Sequence, residues 1–232
     1  MIPGDPNVQR VELVANALGE LRDQLVLVGG CAVSLLIDSA TAPPPRVTYD
    51  VDLIAEVAAL RDYHALEKAF AQRGFTRDMS PDAPICRWTV GSVKVDLMPT
   101  SETVLGFSNP WYAEARRSAT HYTLPSGVAI HLISAPAFLA TKLEAFDSRG
   151  GGDMMASHDF EDIINIVEGR STLVADIRTA SPPLRTHVVK RLATILADEG
   201  FRNTLPGLIT ADELHAQRVT TVLARLSDVA AL

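Results

Sequence analysis

The 232-residue sequence predicts an α+β fold, in which a mixed β-sheet with helices is followed by a helical C-terminal part. Strand-like and helix-like segments alternate up to residue 133, whereas nearly every apolar segment after it repeats at helical spacing. A content of 47% hydrophobic and 21% charged residues is typical of a globular protein with a real core. We therefore predict two domains, 1–133 and 134–232.

The elements of the first domain follow from their apolar patterns. Val11–Leu21 has helical spacing, and the apolar run Leu25–Val28 indicates a strand that ends at Gly29-Gly30. Three prolines in the segment 38–45 exclude regular structure there. The remaining predicted elements are a helix over Cys31–Ile37, a strand over Thr48–Ala55, a helix over Ala59–Gln72, a hairpin over Cys86–Met98 turned at Gly91-Ser92, and a hairpin over Tyr122–Leu132.

The second domain contains apolar residues at a period of three to four, and this spacing predicts helices. The predicted helices are Pro136–Asp147, Ser157–Glu168, Leu184–Asp198 and Ala211–Leu226.

Composition excludes several classes of protein. The net charge of −7 argues against broad electrostatic binding of nucleic acid, so any RNA contact must be local. The longest apolar stretch, Leu25–Ile37, is too short to span a bilayer, and the N-terminus lacks a signal-peptide pattern, so we expect a cytoplasmic protein without membrane contact. Two distant cysteines in no zinc-ligand pattern argue against a disulfide framework and against a structural zinc site.

Three aspartates are the candidate metal ligands. Side chains alternate across a strand, so Asp50 and Asp52 share one face of the predicted strand 48–55, and Lys94 and Asp96 share one face of the later strand. Three converging carboxylates repel one another unless a hard cation such as Mg²⁺ or Mn²⁺ lies between them. The alternative is that these acids are only the solvated face of an edge strand.

The glycine pair before the predicted helix is the candidate phosphate site. Backbone N–H groups at a glycine turn that opens a helix can bind the phosphates of a nucleoside triphosphate, and Ser34 lies one turn further along that helix. The alternative interpretation of Gly29 and Gly30 is a tight turn or close packing of strand and helix.

These features resemble the nucleotidyltransferase superfamily that includes DNA polymerase beta. The match consists of a strand ending in Gly-Gly, a helix, a strand with Asp50-x-Asp52, and Asp96 on a later strand. Further segments resemble motifs of AbiEii-type nucleotidyltransferases, some of which, the MenT group, are toxins. These segments are Lys94-Val-Asp96, Leu139–Lys142 running to Arg149, and Asp159-Phe-Glu-Asp162.

The resemblance implies a nucleotidyltransferase-like catalytic domain over 1–133 and specific roles for residues of the site. Gly29 and Gly30 would contact phosphate, Asp50 and Asp52 would bind metal, and Lys142 would contact the triphosphate. Lys94 is a further candidate for binding the nucleotide. Asp159 or Asp162 would complete the site. The alternative for Lys142 is a solvated lysine at the edge of an apolar stripe. Without the resemblance, the two acids would be assigned to the first turn of a helix after Ser157.

The sequence departs from the superfamily pattern in two places. Gly30 stands where many members have serine, which leaves Ser34 as a possible substitute. The gap from Gly30 to Asp50 is longer than expected, and the extra length falls in the proline-rich loop, where added residues cost little.

We therefore expect transfer of a nucleoside monophosphate from an NTP to an acceptor hydroxyl. MenT-like relatives imply tRNA as the acceptor, toxicity, and a cognate antitoxin protein as partner. One rival is nucleotidylation of a small molecule or a protein. Another is a non-catalytic module that binds nucleotide without turnover.

Overall fold

The computed structural model describes residues 4–39, 41–149 and 152–232. The described residues fall into two compact units. Those within 4–35 and 46–134 form the sheet unit, and those within 36–45 and 135–232 form the helical unit. A division into two domains at residue 133 stays a prediction.

The sheet unit carries the strands of the chain's mixed sheet. Its strands are β1 (Leu25–Val28), β2 (Asp50–Ala55), β3 (Thr76–Arg77), β4 (Arg87–Val90), β5 (Val93–Pro99), β6 (Thr120–Thr123) and β7 (Ala129–Leu132). Its helices are α1 (Pro6–Leu18), α2 (Gly29–Leu36), α3 (Leu60–Gln72), α4 (Glu102–Leu105) and α5 (Tyr112–Arg117), with a 3-10 helix over Gly19–Gln24.

Within the described residues the seven strands form one sheet in the order β3-β4-β5-β2-β1-β7-β6. The pairs β2–β5 and β1–β7 are parallel, and the remaining neighbours are antiparallel. The central strands are apolar: all four residues of β1 are buried, as are Val95 and Leu97 of β5. The core of this unit therefore lies along β1, β2 and β5.

Register places four residues in one row across the middle of this sheet. Val28 of β1 is the partner of Asp52 of β2, Asp52 is the partner of Asp96 of β5, and Asp96 is the partner of Arg87 of β4. Because Gly29 directly follows Val28, the glycine turn begins at the end of this row.

Helix α1 begins earlier than the predicted Val11 and ends earlier than the predicted Leu21. Asp5 caps its start, where the Asp5 carboxylate accepts a hydrogen bond of 2.8 Å from the backbone N–H of Asn7, and Pro6 fits the first turn. Gly19, at φ +56°, ends the α-helix, and the chain continues as a 3-10 helix.

The helical unit contains α6 (Ala135–Ser148), α7 (His158–Gly169), α8 (Leu173–Thr179), α9 (Pro182–Ala197), α10 (Glu199–Leu208) and α11 (His215–Ala230). Its core includes an aromatic chain, in which the Phe160 ring lies 5.0 Å from that of Phe146 and 6.0 Å from that of Phe201. The short helices α8 and α10 were not predicted, because α8 has only seven residues and Pro206 interrupts the helical pattern of α10.

The predicted α+β class is confirmed: a mixed sheet with helices is followed by a helical C-terminal part. In the described ranges, no helix has both the length and the apolar character that crossing a membrane requires.

Candidate active site

Asp50, Asp52 and Asp96 converge in the sheet unit. One carboxylate oxygen from each lies within 4.8 Å of the others, a spacing at which the three side chains can share a metal ion. Asp96 is buried, with 7% of its surface exposed, and the other two are half-buried. Both β2 and β5 are interior strands, so these acids are not the solvated face of an edge strand. We call this group the carboxylate cluster.

Arg87 on β4 binds two members of the carboxylate cluster. Its Nε donates to Asp96 Oδ1 at 2.7 Å and its Nη2 to Asp96 Oδ2 at 2.6 Å, which is a two-pronged guanidinium–carboxylate pair. Nη2 also donates to Asp50 Oδ2 at 3.1 Å. The hydrogen bonds to Asp96 raise the pKa of Arg87 above its ordinary value, so the guanidinium is permanently charged.

The glycine turn lies directly against the carboxylate cluster. Gly29 has φ +68°, and a Cβ placed on it would lie 1.8 Å from Asp52 Oδ2 and 2.7 Å from Asp52 Cβ. Only glycine therefore fits, for its backbone conformation and for the close approach of Asp52. Of the two interpretations of this glycine, the geometry establishes close packing, and phosphate binding by the N–H groups at the start of α2 stays a prediction.

A buried asparagine organises the other side of the turn. Asn7 Oδ1 accepts from Thr48 N at 2.8 Å, and Asn7 Nδ2 donates to Arg46 O at 2.9 Å and to Ser34 Oγ at 3.2 Å. A Cβ on Gly30 would lie 2.6 Å from Thr48 Oγ1 and 3.2 Å from Arg46 Nη2. The segment before β2 is thus held against the second glycine.

Ser34 and Lys94 were predicted to contact nucleotide, and both roles stay predictions. Ser34 is 7% exposed, and its hydroxyl accepts the hydrogen bond from Asn7. Lys94 is exposed and lies opposite Asp50 in the β2–β5 register.

The other predicted residues form a second cluster, inside the helical unit. Lys142 Nζ on α6 donates to Asp159 Oδ1 at 2.9 Å and lies 2.8 Å from Asp162 Oδ2, both on α7. Arg149 Nη1 donates to Asp159 Oδ2 at 3.0 Å. We call this the lysine cluster.

The interpretation of Lys142 as a solvated lysine is wrong, because only 9% of it is exposed. Burial lowers the pKa of Lys142, but Asp162 and Asp159 outweigh that effect and leave the pKa above its ordinary value. The helix cap of α7 is Ser157, whose Oγ accepts from Phe160 N at 3.2 Å. Catalytic roles for Lys142, Asp159 and Asp162 stay predictions.

Arg87 and Asn7 are the contributors that the sequence patterns did not single out. Arg87 could have been found by counting back from the predicted turn at Gly91-Ser92, since a two-residue turn pairs position 90 with 93 and therefore 87 with 96. Asn7 carries no comparable signal, because its partners lie 27 to 41 residues away along the chain.

No protein family model matches the chain, and no curated protein matches it. Among solved structures the chain is similar to the antibiotic-resistance factor ANT(2'')-Ia, whose solution structure is known. The identity is 16%, the alignment covers 81% of this chain and 94% of that chain, and the TM-score is 0.48. The narrower resemblance to AbiEii- and MenT-type proteins stays a prediction.

Proposed function

We propose that this protein transfers a nucleoside monophosphate from an NTP to an acceptor hydroxyl, with divalent cations held by Asp50, Asp52 and Asp96. The observation that carries the proposal is the convergence of three carboxylates within 4.8 Å beside a glycine turn that opens α2. A protein that only binds nucleotide has less need to bring three acids together, since their mutual repulsion costs stability.

The chemistry of the donor set fits Mg²⁺ or Mn²⁺. All three donors are carboxylate oxygens, the ligand type that hard divalent cations prefer. When bound there, such a cation would neutralise charge on the triphosphate and on the leaving pyrophosphate.

The residues of the chain would orient the reactants around that charge. The oxygen of the acceptor hydroxyl forms a bond to the α-phosphorus, the bond from this phosphorus to the bridging oxygen breaks, and pyrophosphate leaves. A carboxylate of the cluster accepts the hydroxyl proton. The N–H groups at the start of α2 are placed to bind phosphate oxygens, because Gly29 and Gly30 leave the backbone uncovered. For Lys142 we propose a contact with the triphosphate, with Asp159 or Asp162 supporting it.

We take tRNA as the first acceptor to test, because the resemblance to MenT-type proteins implies it. The experiment incubates the protein with each of four α-labelled NTPs, Mg²⁺ and total tRNA, and compares the native protein with Asp50→Ala. The control is Asp82→Ala, which removes an exposed acid outside the carboxylate cluster. We expect label in tRNA with the native protein and with the control, and none with Asp50→Ala.

The other outcomes separate the rivals. Label that enters only protein or small molecules would reject tRNA while retaining nucleotidyl transfer. If a calorimetric titration shows binding of Mg²⁺–NTP but no acceptor is labelled, the protein is a non-catalytic nucleotide-binding module.

Toxicity and an antitoxin partner are further parts of the proposal. Induced expression of the native protein should arrest growth, and Asp50→Ala should not. Normal growth during expression of the native protein, in a host that lacks any antitoxin, would contradict toxicity.

A further inference from the structure

We propose that Arg87 is an internal counter-ion of the carboxylate cluster: its charge lowers the affinity of the cluster for divalent cations, and its two parallel hydrogen bonds orient Asp96. This inference rests on the proposed function, since it concerns the same metal site. It adds a positioning residue that binds neither the cations nor the nucleotide.

The first step of the argument is charge. Three carboxylates carry a formal charge of −3, and Arg87, hydrogen-bonded to two of them, contributes +1. The guanidinium is 17% exposed and Asp96 only 10%, measured on their side chains, so water screens this interaction weakly. A divalent cation that enters the cluster must therefore bind against the repulsion of a fixed positive charge close by.

The second step is geometry. Arg87 and Asp96 are register partners on the antiparallel strands β4 and β5, so their backbones hold the pair at a fixed separation. The two parallel hydrogen bonds, of 2.7 and 2.6 Å, fix the plane of the Asp96 carboxylate. A lysine at this position would keep the positive charge but could not form two parallel hydrogen bonds to the Asp96 carboxylate. Charge and geometry can therefore be separated by mutation.

Arginine at position 87 has a predictable consequence for the order of binding. A cluster whose charge is partly neutralised from within attracts free cations less strongly than three unpaired acids would. A cation that arrives with a nucleotide also has phosphate oxygens as ligands, so it depends less on the protein charge. The counter-ion thus favours loading of metal together with NTP over loading of metal alone.

The test measures Mn²⁺ binding by calorimetry in the absence of nucleotide. It compares the native protein with Arg87→Gln and Arg87→Lys, and Arg61→Gln serves as a control because the Arg61 side chain is 89% exposed. We expect Arg87→Gln to bind Mn²⁺ at least about tenfold more tightly than the native protein in the absence of nucleotide. Arg87→Lys and Arg61→Gln should retain the native affinity.

A second measurement addresses geometry. The rate constant for NMP transfer should fall in both Arg87 variants, because both lose the paired hydrogen bonds that orient Asp96. KM for NTP should change less than kcat. If Arg87 had a purely structural role, its replacement would reduce Mn²⁺ binding in proportion to the loss of folded protein. Tighter Mn²⁺ binding would not be expected in that case.

Unchanged or weaker Mn²⁺ binding by folded Arg87→Gln would overturn the counter-ion proposal. If Arg87→Gln does not fold, Arg87→Met removes the same charge with an apolar chain of similar length, and the same criterion applies to it. Failure of the native protein to bind Mn²⁺ even together with a non-hydrolysable NTP would instead reject the metal site of the proposed function, so the two failures are distinguishable.

Discussion

Replacement of Gly29 by alanine should disable the carboxylate cluster while leaving most of the protein folded. The new Cβ would lie 1.8 Å from Asp52 Oδ2, 2.5 Å from Asp52 Cγ and 2.7 Å from Asp52 Cβ, whereas real Cβ contacts stay beyond 3.0 Å. Moving from 1.8 to 3.0 Å requires a shift of about 1.2 Å. Rotation of the Asp52 side chain cannot supply all of it, because Asp52 Cβ is itself too close. The strand ends of β1 and β2 must therefore separate.

The magnitude follows from this displacement. Metal–ligand distances tolerate changes of only about 0.2 Å, and a misplacement of about 1 Å near reacting groups can cost roughly 100-fold in rate. The left-handed backbone of Gly29, at φ +68°, adds about 1–2 kcal/mol of strain for alanine. We therefore expect at least a 100-fold loss of NMP transfer, weaker Mn²⁺ binding by calorimetry, and a moderate loss of stability in urea.

Gly106→Ala is the matched control. Gly106 is also left-handed, at φ +82°, but a Cβ there would meet nothing within 4 Å. Both variants should lose stability through backbone strain, and only Gly29→Ala should lose metal binding and activity. If Gly29→Ala keeps native Mn²⁺ affinity and rate, the close packing of this turn against Asp52 is not required, and our account of the site is refuted.

Three further predictions concern the lysine cluster, the hydrogen bonds of Asn7, and His131 on β7. Lys142→Met would leave two buried carboxylates without their lysine and should lower the free energy of unfolding, measured in urea, by about 3–5 kcal/mol. The control Lys68→Met, at an exposed lysine, should change this free energy little. A loss below about 1 kcal/mol in Lys142→Met would contradict the stabilising role of these buried ion pairs. Asn7→Ala should destabilise the protein by about 2–3 kcal/mol and lower the rate of NMP transfer, because the segment before β2 loses its hydrogen bonds to the Asn7 side chain. Unchanged urea denaturation and an unchanged rate would contradict this role of Asn7. Burial lowers the pKa of His131, with His121 and Arg116 adding to the effect, so the unfolded chain binds this proton more readily than the folded protein. The free energy of unfolding should then decline as the pH falls below about 6.5. In urea titrations at pH 5 and pH 7, His131→Gln should show a smaller decline than the native protein. An equal decline in the variant would contradict the role of His131.

The strand pattern predicted the convergence of the three aspartates, whose carboxylates lie within 4.8 Å of one another. Alternation places Asp50 and Asp52 on one face whatever the neighbours of β2 are, and the buried apolar residues on either side of Asp96 fix the orientation of β5. What the pattern could not give was the strand order. That β2 and β5 are adjacent and parallel depends on packing over the whole sheet, which no local period encodes.

The interpretation of the charged residues was less reliable, for a physical reason. Lys142 lies at the edge of an apolar stripe in the sequence, and the same pattern fits a solvated lysine and a buried one with carboxylate partners on another helix. Only the pairing of α6 with α7 distinguishes these possibilities. Counting through the hairpin places Arg87 opposite Asp96, but its pattern does not mark it as a site residue, because arginine on a short strand is usually solvated.

The most direct test of the central claim is the location of Mn²⁺ in crystals of the protein soaked with MnCl₂ and a non-hydrolysable NTP. We predict an anomalous peak at coordinating distance, about 2.1 Å, from carboxylate oxygens of at least two of Asp50, Asp52 and Asp96, with phosphate oxygens completing the coordination. Bound nucleotide without a peak there, or a peak held only by other side chains, would contradict the claim that these acids form a catalytic metal centre.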